Sequence, residues 1–154
     1  MPYAARRPVL YVEDHPVNAL LMAAIFERRP ELELVIATTG EEALKRAAGL
    51  APALLLLDLG LPDCHGSQLL GRLRALPGCD TPLAVAVTAD ASFEIEGTGF
   101  CELWAKPLNI DLVLRRLDGL TRLHAAPPPS LPLPRDLFPP PPRAAATTLA
   151  PGWR

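Results

Sequence analysis

Five polar residues follow or close short apolar runs in a way that points to chemistry. Glu13 and Asp14 follow PVLYV, Asp58 follows ALLLL, Thr88 closes PLAVAVT, and Lys106 follows CELWA. Taken singly, each fits an ordinary role: a turn, a cap, a β-branched strand residue. Together they form a self-sufficient set. Three carboxylates in one crevice raise one another's pKa values unless a cation neutralises them. Hard oxygen ligands suit Mg2+, which keeps several waters and binds alongside phosphate oxygens. A carboxylate can attack phosphorus and form an aspartyl phosphate. Phosphoryl transfer otherwise needs positioning and charge stabilisation, which an ammonium and a hydroxyl supply. Lys106 is one of two lysines in a chain with thirteen arginines, so its place at a strand end is informative.

The elements that must position this set are legible as two alternating patterns. Runs rich in Val, Ile and Leu read as buried strands at residues 8–12, 33–37, 53–57 and 82–88, with a weaker one at 101–105. Between them, helical spacing covers Pro16–Arg28, a stretch from Thr39 to about Ala48, Gly66–Leu76 and Ile110–Leu123. Pro16 suits the first turn of its helix, and Thr39 with Glu42 forms a capping-box pattern. Leu69, Leu70, Leu73 and Leu76 make one apolar helix face. Between Asp90 and Phe100, Gly97 and Gly99 leave room for about two helical turns, so a short or irregular helix is expected there. Five strand–helix repeats predict a parallel sheet covered on both faces. Ligands of such sheets bind outside the carboxyl ends of the strands. The second run ends in Thr38-Thr39, without charge, which suits an edge strand left out of the site.

VLYVEDHPVN, LLLLDLGLP, VAVTAD and AKPLN together resemble the receiver domain of two-component response regulators. The resemblance covers residues 8–123. The separations also match it: 44 residues from Asp14 to Asp58 and 30 from Asp58 to Thr88. It implies a flavodoxin-like, doubly wound α/β fold, five parallel strands in the order 2-1-3-4-5, with the fourth helix shortened. It implies that Asp58 accepts a phosphoryl group, and that Glu13, Asp14, Asp58 and the backbone carbonyl of Gly60 hold Mg2+. Thr88 and Lys106 would contact the phosphoryl group, and Pro107 would follow a cis peptide. Two departures stand out. The family usually carries an aromatic residue three before the lysine, where this chain has Leu103, so the usual switch between Thr88 and that aromatic is altered. The 18 residues from Thr88 to Lys106 are a few short of the family's spacing.

Composition narrows the function classes. Nineteen of 154 residues are proline, ten of them between Pro127 and Pro151. Residues 124–154 therefore read as a proline-rich, disordered tail with polyproline II character, and residues 1–7 as an N-terminal extension. SLPLPR within the tail resembles a ligand of proline-binding modules. The formal charge of −2 offers no basic field for nucleic acid. No run free of Asp, Glu, Lys and Arg exceeds 12 residues, too few to span a membrane. The N-terminus carries no signal-peptide pattern, and a cytoplasmic protein is expected. Cys64, Cys79 and Cys101 lack metal-ligand spacing and read as reduced thiols, with Cys101 expected to be buried.

The expected function is a single-domain response regulator that takes a phosphoryl group from a histidine kinase or phosphotransfer protein and signals by protein contact. The alternative is a receiver-like adaptor that binds partners regardless of phosphorylation. A haloacid-dehalogenase-like phosphatase needs an acid two residues after its nucleophile, and this chain has Gly60 there. His15 reads as a loop or cap residue, His65 as surface, and Asp63 and Asp90 as loop or cap residues. Trp104 is expected to pack partly against the last helix.

Overall fold

The computed structural model describes residues 6–124. The chain runs β1(Arg7–Val12), α1(Pro16–Phe26), β2(Leu32–Ala37), α2(Gly40–Ala47), β3(Leu54–Asp58), α3(Gly66–Arg74), β4(Leu83–Thr88), β5(Glu102–Ala105) and α4(Ile110–His124). All strand pairs are parallel, and the sheet order is β2-β1-β3-β4-β5. The expected fold class is therefore the observed one. β1 takes in Arg7, and the preceding Arg6 donates to the carbonyls of Pro30 and Leu32. Residues 1–5 and the proline-rich segment from residue 125 onward lie outside the described residues. No described helix is long and apolar enough to cross a membrane.

Strand alternation sorts the core into two layers. Leu10, Val12, Leu55, Leu57, Ala84 and Ala86 face α2 and α3, packing on Ala43, Leu69 and Leu73. Val9, Tyr11, Leu54, Leu56, Val85, Val87 and Trp104 face α1 and α4, packing on Met22, Ile25, Val113 and Leu117. The central strand LLLLD is buried along its whole length, as a strand covered on both faces must be. Trp104 is more deeply placed than its sequence position implied: it is 4% exposed, and its Nε1 donates to Glu102.

Helix starts are secured by side chains. His15 Nδ1 accepts from the N–H of Val17, so His15 caps α1. His65 Nδ1 accepts from Ser67 N–H while Gln68 Oε1 accepts from His65 N–H, capping α3 at an exposed position. At α2, Thr39 Oγ1 accepts from Glu42 N–H, but Glu42 reaches past Thr39 to Thr38 N–H and Oγ1. The capping box read from the sequence is thus half formed. The orphan amides of Gly40 and Glu41 go instead to Asp63, at 2.8 and 3.0 Å.

Two expectations are corrected. Residues 89–101 form turns rather than a short fourth helix, since Gly97 and Gly99 adopt φ of 76° and 94°. Such left-handed backbone ends a helix. Phe93 and Ile95 from this segment pack on the α2–α3 layer. Cys101 is exposed, and Cys79 is the buried thiol. Cys101 precedes the first paired residue of β5, Glu102, and so escapes the layers that bury Trp104.

Arg29 clamps the loop after α1 to α4 through a forked pair with Asp118, at 2.7 and 2.8 Å. The guanidinium holds the Asp118 carboxyl below its ordinary pKa. A depressed folded-state pKa contributes stability above the unfolded value near 4, and that stability is lost as pH falls through the folded value. Asp118→Asn is expected to cost about 1 kcal/mol at pH 7 and much less near pH 3. Urea denaturation at the two pH values measures it; an equal cost at both would refute the assignment.

Candidate active site

The site grows out of the two-residue period of the strands. Asp58 is the last residue of β3 and belongs to the face of Leu54 and Leu56, the α1–α4 layer. Glu13 follows β1 on the face of Val9 and Tyr11, held in line by its N–H to the carbonyl of Ala37. Lys106 follows β5 on the face of Trp104, with its N–H bonded to the carbonyl of Thr88. The three side chains therefore meet on one face at the strand ends, with Lys106 reaching past the end of β4 to β3 and β1. Lys106 Nζ donates to Glu13 Oε1 at 2.7 Å, to Glu13 Oε2 at 3.1 Å and to Asp58 Oδ2 at 3.1 Å. Gly60 N–H donates to Asp58 Oδ1 at 3.1 Å. Asp14 stands exposed at the rim. One carboxylate oxygen from each of Glu13, Asp14 and Asp58 lies within 4.8 Å of the others.

Thr88 closes β4, one residue beyond Val87, which is in register with Asp58. Its hydroxyl accepts from Asp90 N–H at 3.0 Å. Asp90 in turn accepts from Ser92 N–H, which makes it a loop residue as expected. The Lys106–Pro107 peptide is cis. Leu103 pairs with Ala86 and is half-buried, on the opposite strand face from Trp104. An aromatic contact lies elsewhere: the Phe93 ring sits 5.7 Å from the His65 ring.

The electrostatics follow from a charge surplus. Burial, with Asp58 alongside, pushes the Glu13 carboxyl up to about 7, against the pull of Lys106. Burial also opposes the Asp58 anion. Hydrogen bonds from Glu13, Gly60 N–H and Lys106 outweigh it and hold that carboxyl below its ordinary value. Lys106 keeps its proton, because its bonds to Glu13 and Asp58 overcome the cost of burial. With all three carboxylates ionised, they and the one ammonium sum to two negative charges, which one divalent cation balances. Oxygen-only donors and this charge fit Mg2+.

Reasoning from the sequence missed Tyr11. Fully buried, it donates its hydroxyl to Glu13 Oε1 at 3.3 Å. Burial and the neighbouring Glu13 raise its pKa above the ordinary value, so the phenol stays a donor. The available signal was the period of two: Tyr11 precedes Glu13 by two residues and must share its face.

The response regulator receiver domain family matches residues 9–118. The chain belongs to that family. The receiver domain is 36% identical over 91 residues to protein-glutamate methylesterase/protein-glutamine glutaminase 1 of Syntrophus aciditrophicus, covering 58% of this chain and 25% of that protein. It is 35% identical over 122 residues to transcriptional regulatory protein KdpE of Mycobacterium tuberculosis, covering 77% of this chain and 52% of that one. The chain thus spans between a quarter and about half of these relatives' lengths. Among solved structures, it resembles a CheY-like response regulator receiver domain from Methanospirillum hungatei, with a TM-score of 0.70 and 25% identity over 77% of this chain and 96% of that one. It is a receiver domain of two-component signalling.

Proposed function

We propose that this receiver domain accepts a phosphoryl group on Asp58 from the phosphohistidine of a histidine kinase or phosphotransfer protein. The observation that carries this reading is the placement of Asp58 between a half-buried ammonium and two further carboxylates at the strand ends. An Asp58 carboxylate oxygen attacks phosphorus as the histidine N–P bond breaks, giving an acyl phosphate and free imidazole. Later attack by water releases inorganic phosphate and restores the carboxylate. Glu13, Asp14, Asp58 and the Gly60 carbonyl would hold Mg2+, which when bound supplies positive charge to the phosphoryl oxygens. Lys106 neutralises the pocket from the β5 side, and the Thr88 hydroxyl is available to a phosphoryl oxygen. Output by protein contact and a cytoplasmic location go with this reading. Incubation with acetyl phosphate and Mg2+ tests it. One phosphoryl group per chain is expected on wild type and none on Asp58→Asn; equal labelling of the two would overturn it.

One observation favours a second reading, that of an adaptor indifferent to phosphorylation. Residues 89–101 form turns, and Leu103 stands where the family usually carries an aromatic switch residue. Amide spectra with and without beryllofluoride separate the two. Shifts spreading from Thr88 to Phe93 and His65 support phosphorylation-dependent output, and shifts confined to the pocket support the adaptor.

A further inference from the structure

Tyr11 occupies a core position that packing alone would fill with an aliphatic side chain. Its neighbours in the α1–α4 layer include Val9, Leu54, Leu56 and Val87. Among the described residues, its hydroxyl has one side-chain partner, Glu13 Oε1. A buried phenolic O–H needs such a partner, and a buried carboxylate needs donors. The two groups satisfy each other from successive same-face positions of one strand.

The direction of the contact matters. Lys106 reaches Glu13 from the end of β5 on a flexible four-carbon stem. A carboxylate held by that ammonium alone is free to follow it. Tyr11 is rigid, with two side-chain torsions, and is locked in the core. It grips one Glu13 oxygen from inside the sheet layer. Groups that orient a metal ligand in this way normally set affinity rather than chemistry, and their loss costs about 10–100-fold in metal binding.

We propose that Tyr11 is a positioning residue for the divalent cation: its hydroxyl, bonded to the Glu13 oxygen that Lys106 also holds, fixes the Glu13 carboxylate within the Asp14–Asp58 cluster. This rests on the Mg2+ reading above and extends it to a residue that touches neither metal nor phosphoryl group. Pre-ordering Glu13 reduces the freedom lost when the cation binds.

Calorimetric titration of the full chain with MgCl2 tests it. Tyr11→Phe keeps the ring and removes the hydroxyl. It is expected to raise the Mg2+ dissociation constant about tenfold, while the acetyl phosphate labelling rate at saturating Mg2+ stays within about twofold of wild type. A thermal melt without Mg2+ confirms that the variant is folded. In a Glu13→Ala background, which removes the acceptor, Tyr11→Phe is expected to leave the dissociation constant unchanged. An affinity equal to or tighter than wild type, a slower rate at saturating Mg2+, or the same tenfold loss in the Glu13→Ala background would each overturn the proposal. A wild-type chain that binds no Mg2+ overturns the function reading as well. A wild type that binds, beside a variant that binds equally, overturns this inference alone.

Discussion

Lys106→Met is expected to slow phosphoryl acceptance about 100- to 1,000-fold, the scale on which a preorganised electrostatic contact acts. Methionine keeps the length and packing of the stem and removes the ammonium. Among the described residues, Lys106 is the one cation bonded to both Glu13 and Asp58. Its loss leaves two buried carboxylates facing each other, and breaking such a pair costs about 3–5 kcal/mol. Protonation relieves part of that cost. Glu13 already titrates at about 7, above its ordinary value. A raised folded-state pKa favours the folded protein below the unfolded value, and that benefit is lost as pH rises through the folded value. The variant's instability without metal should therefore be small near pH 5 and large near pH 9. Mg2+ should bind it more tightly than wild type, since a competing cation has gone. Denaturation at both pH values and calorimetry with MgCl2 check these outcomes. Weaker Mg2+ binding would mean that Lys106 shapes the site rather than competing for its charge.

The second large effect is expected at Gly66, the first residue of α3. A Cβ there would stand 2.6 Å from the carbonyl oxygen of Asp58 and 2.9 Å from Leu59 Cα. Both are backbone atoms of the strand end that carries Asp58, so neither can swing aside. Gly66 N–H also donates to the Leu59 carbonyl at 2.9 Å, which holds the two segments together. Gly66→Ala is expected to destabilise the fold by about 3 kcal/mol, the upper range for overpacking, and to slow labelling of Asp58 by displacing its backbone. Gly71 lies on the same helix, and a Cβ there meets nothing within 4 Å. Gly71→Ala is expected to stabilise by about 0.5–1 kcal/mol through helix propensity alone. Urea denaturation of the pair tests this. Equal behaviour at the two glycines would show that the close approach at Gly66 is not a constraint.

Much of the site was legible because it depends on strand ends. Apolar runs stop where polar residues begin, so Glu13, Asp58, Thr88 and Lys106 announce their positions without any tertiary information. The short spacing between Thr88 and Lys106 likewise announced an altered fourth helix. Composition allowed a helix of two turns at 91–96, and the structure has turns there. The left-handed glycines and the packing of half-buried Phe93 and Ile95 against the α2–α3 layer won over local helical preference. Cys101 was misplaced for a related reason: a strand-like residue just outside the pairing register is not covered by either layer.

Asp63 and Tyr11 mark the other limit. Asp63 caps α2 from a loop 23 residues further along the chain, and no periodicity links such positions. Tyr11 reads as one more core residue until Glu13 is seen to be wholly buried above it. The sequence by itself determined the five strands, the four helices that form, a sheet covered on both faces and the polar residues at the strand ends. These follow from local periodicity, which each segment carries alone. Only the tertiary structure decided which oxygen each donor meets. The Lys106 bond to Glu13 joins residues 93 apart. Such contacts depend on sheet register and on which face each terminal side chain leaves, and those are set when the strands pair.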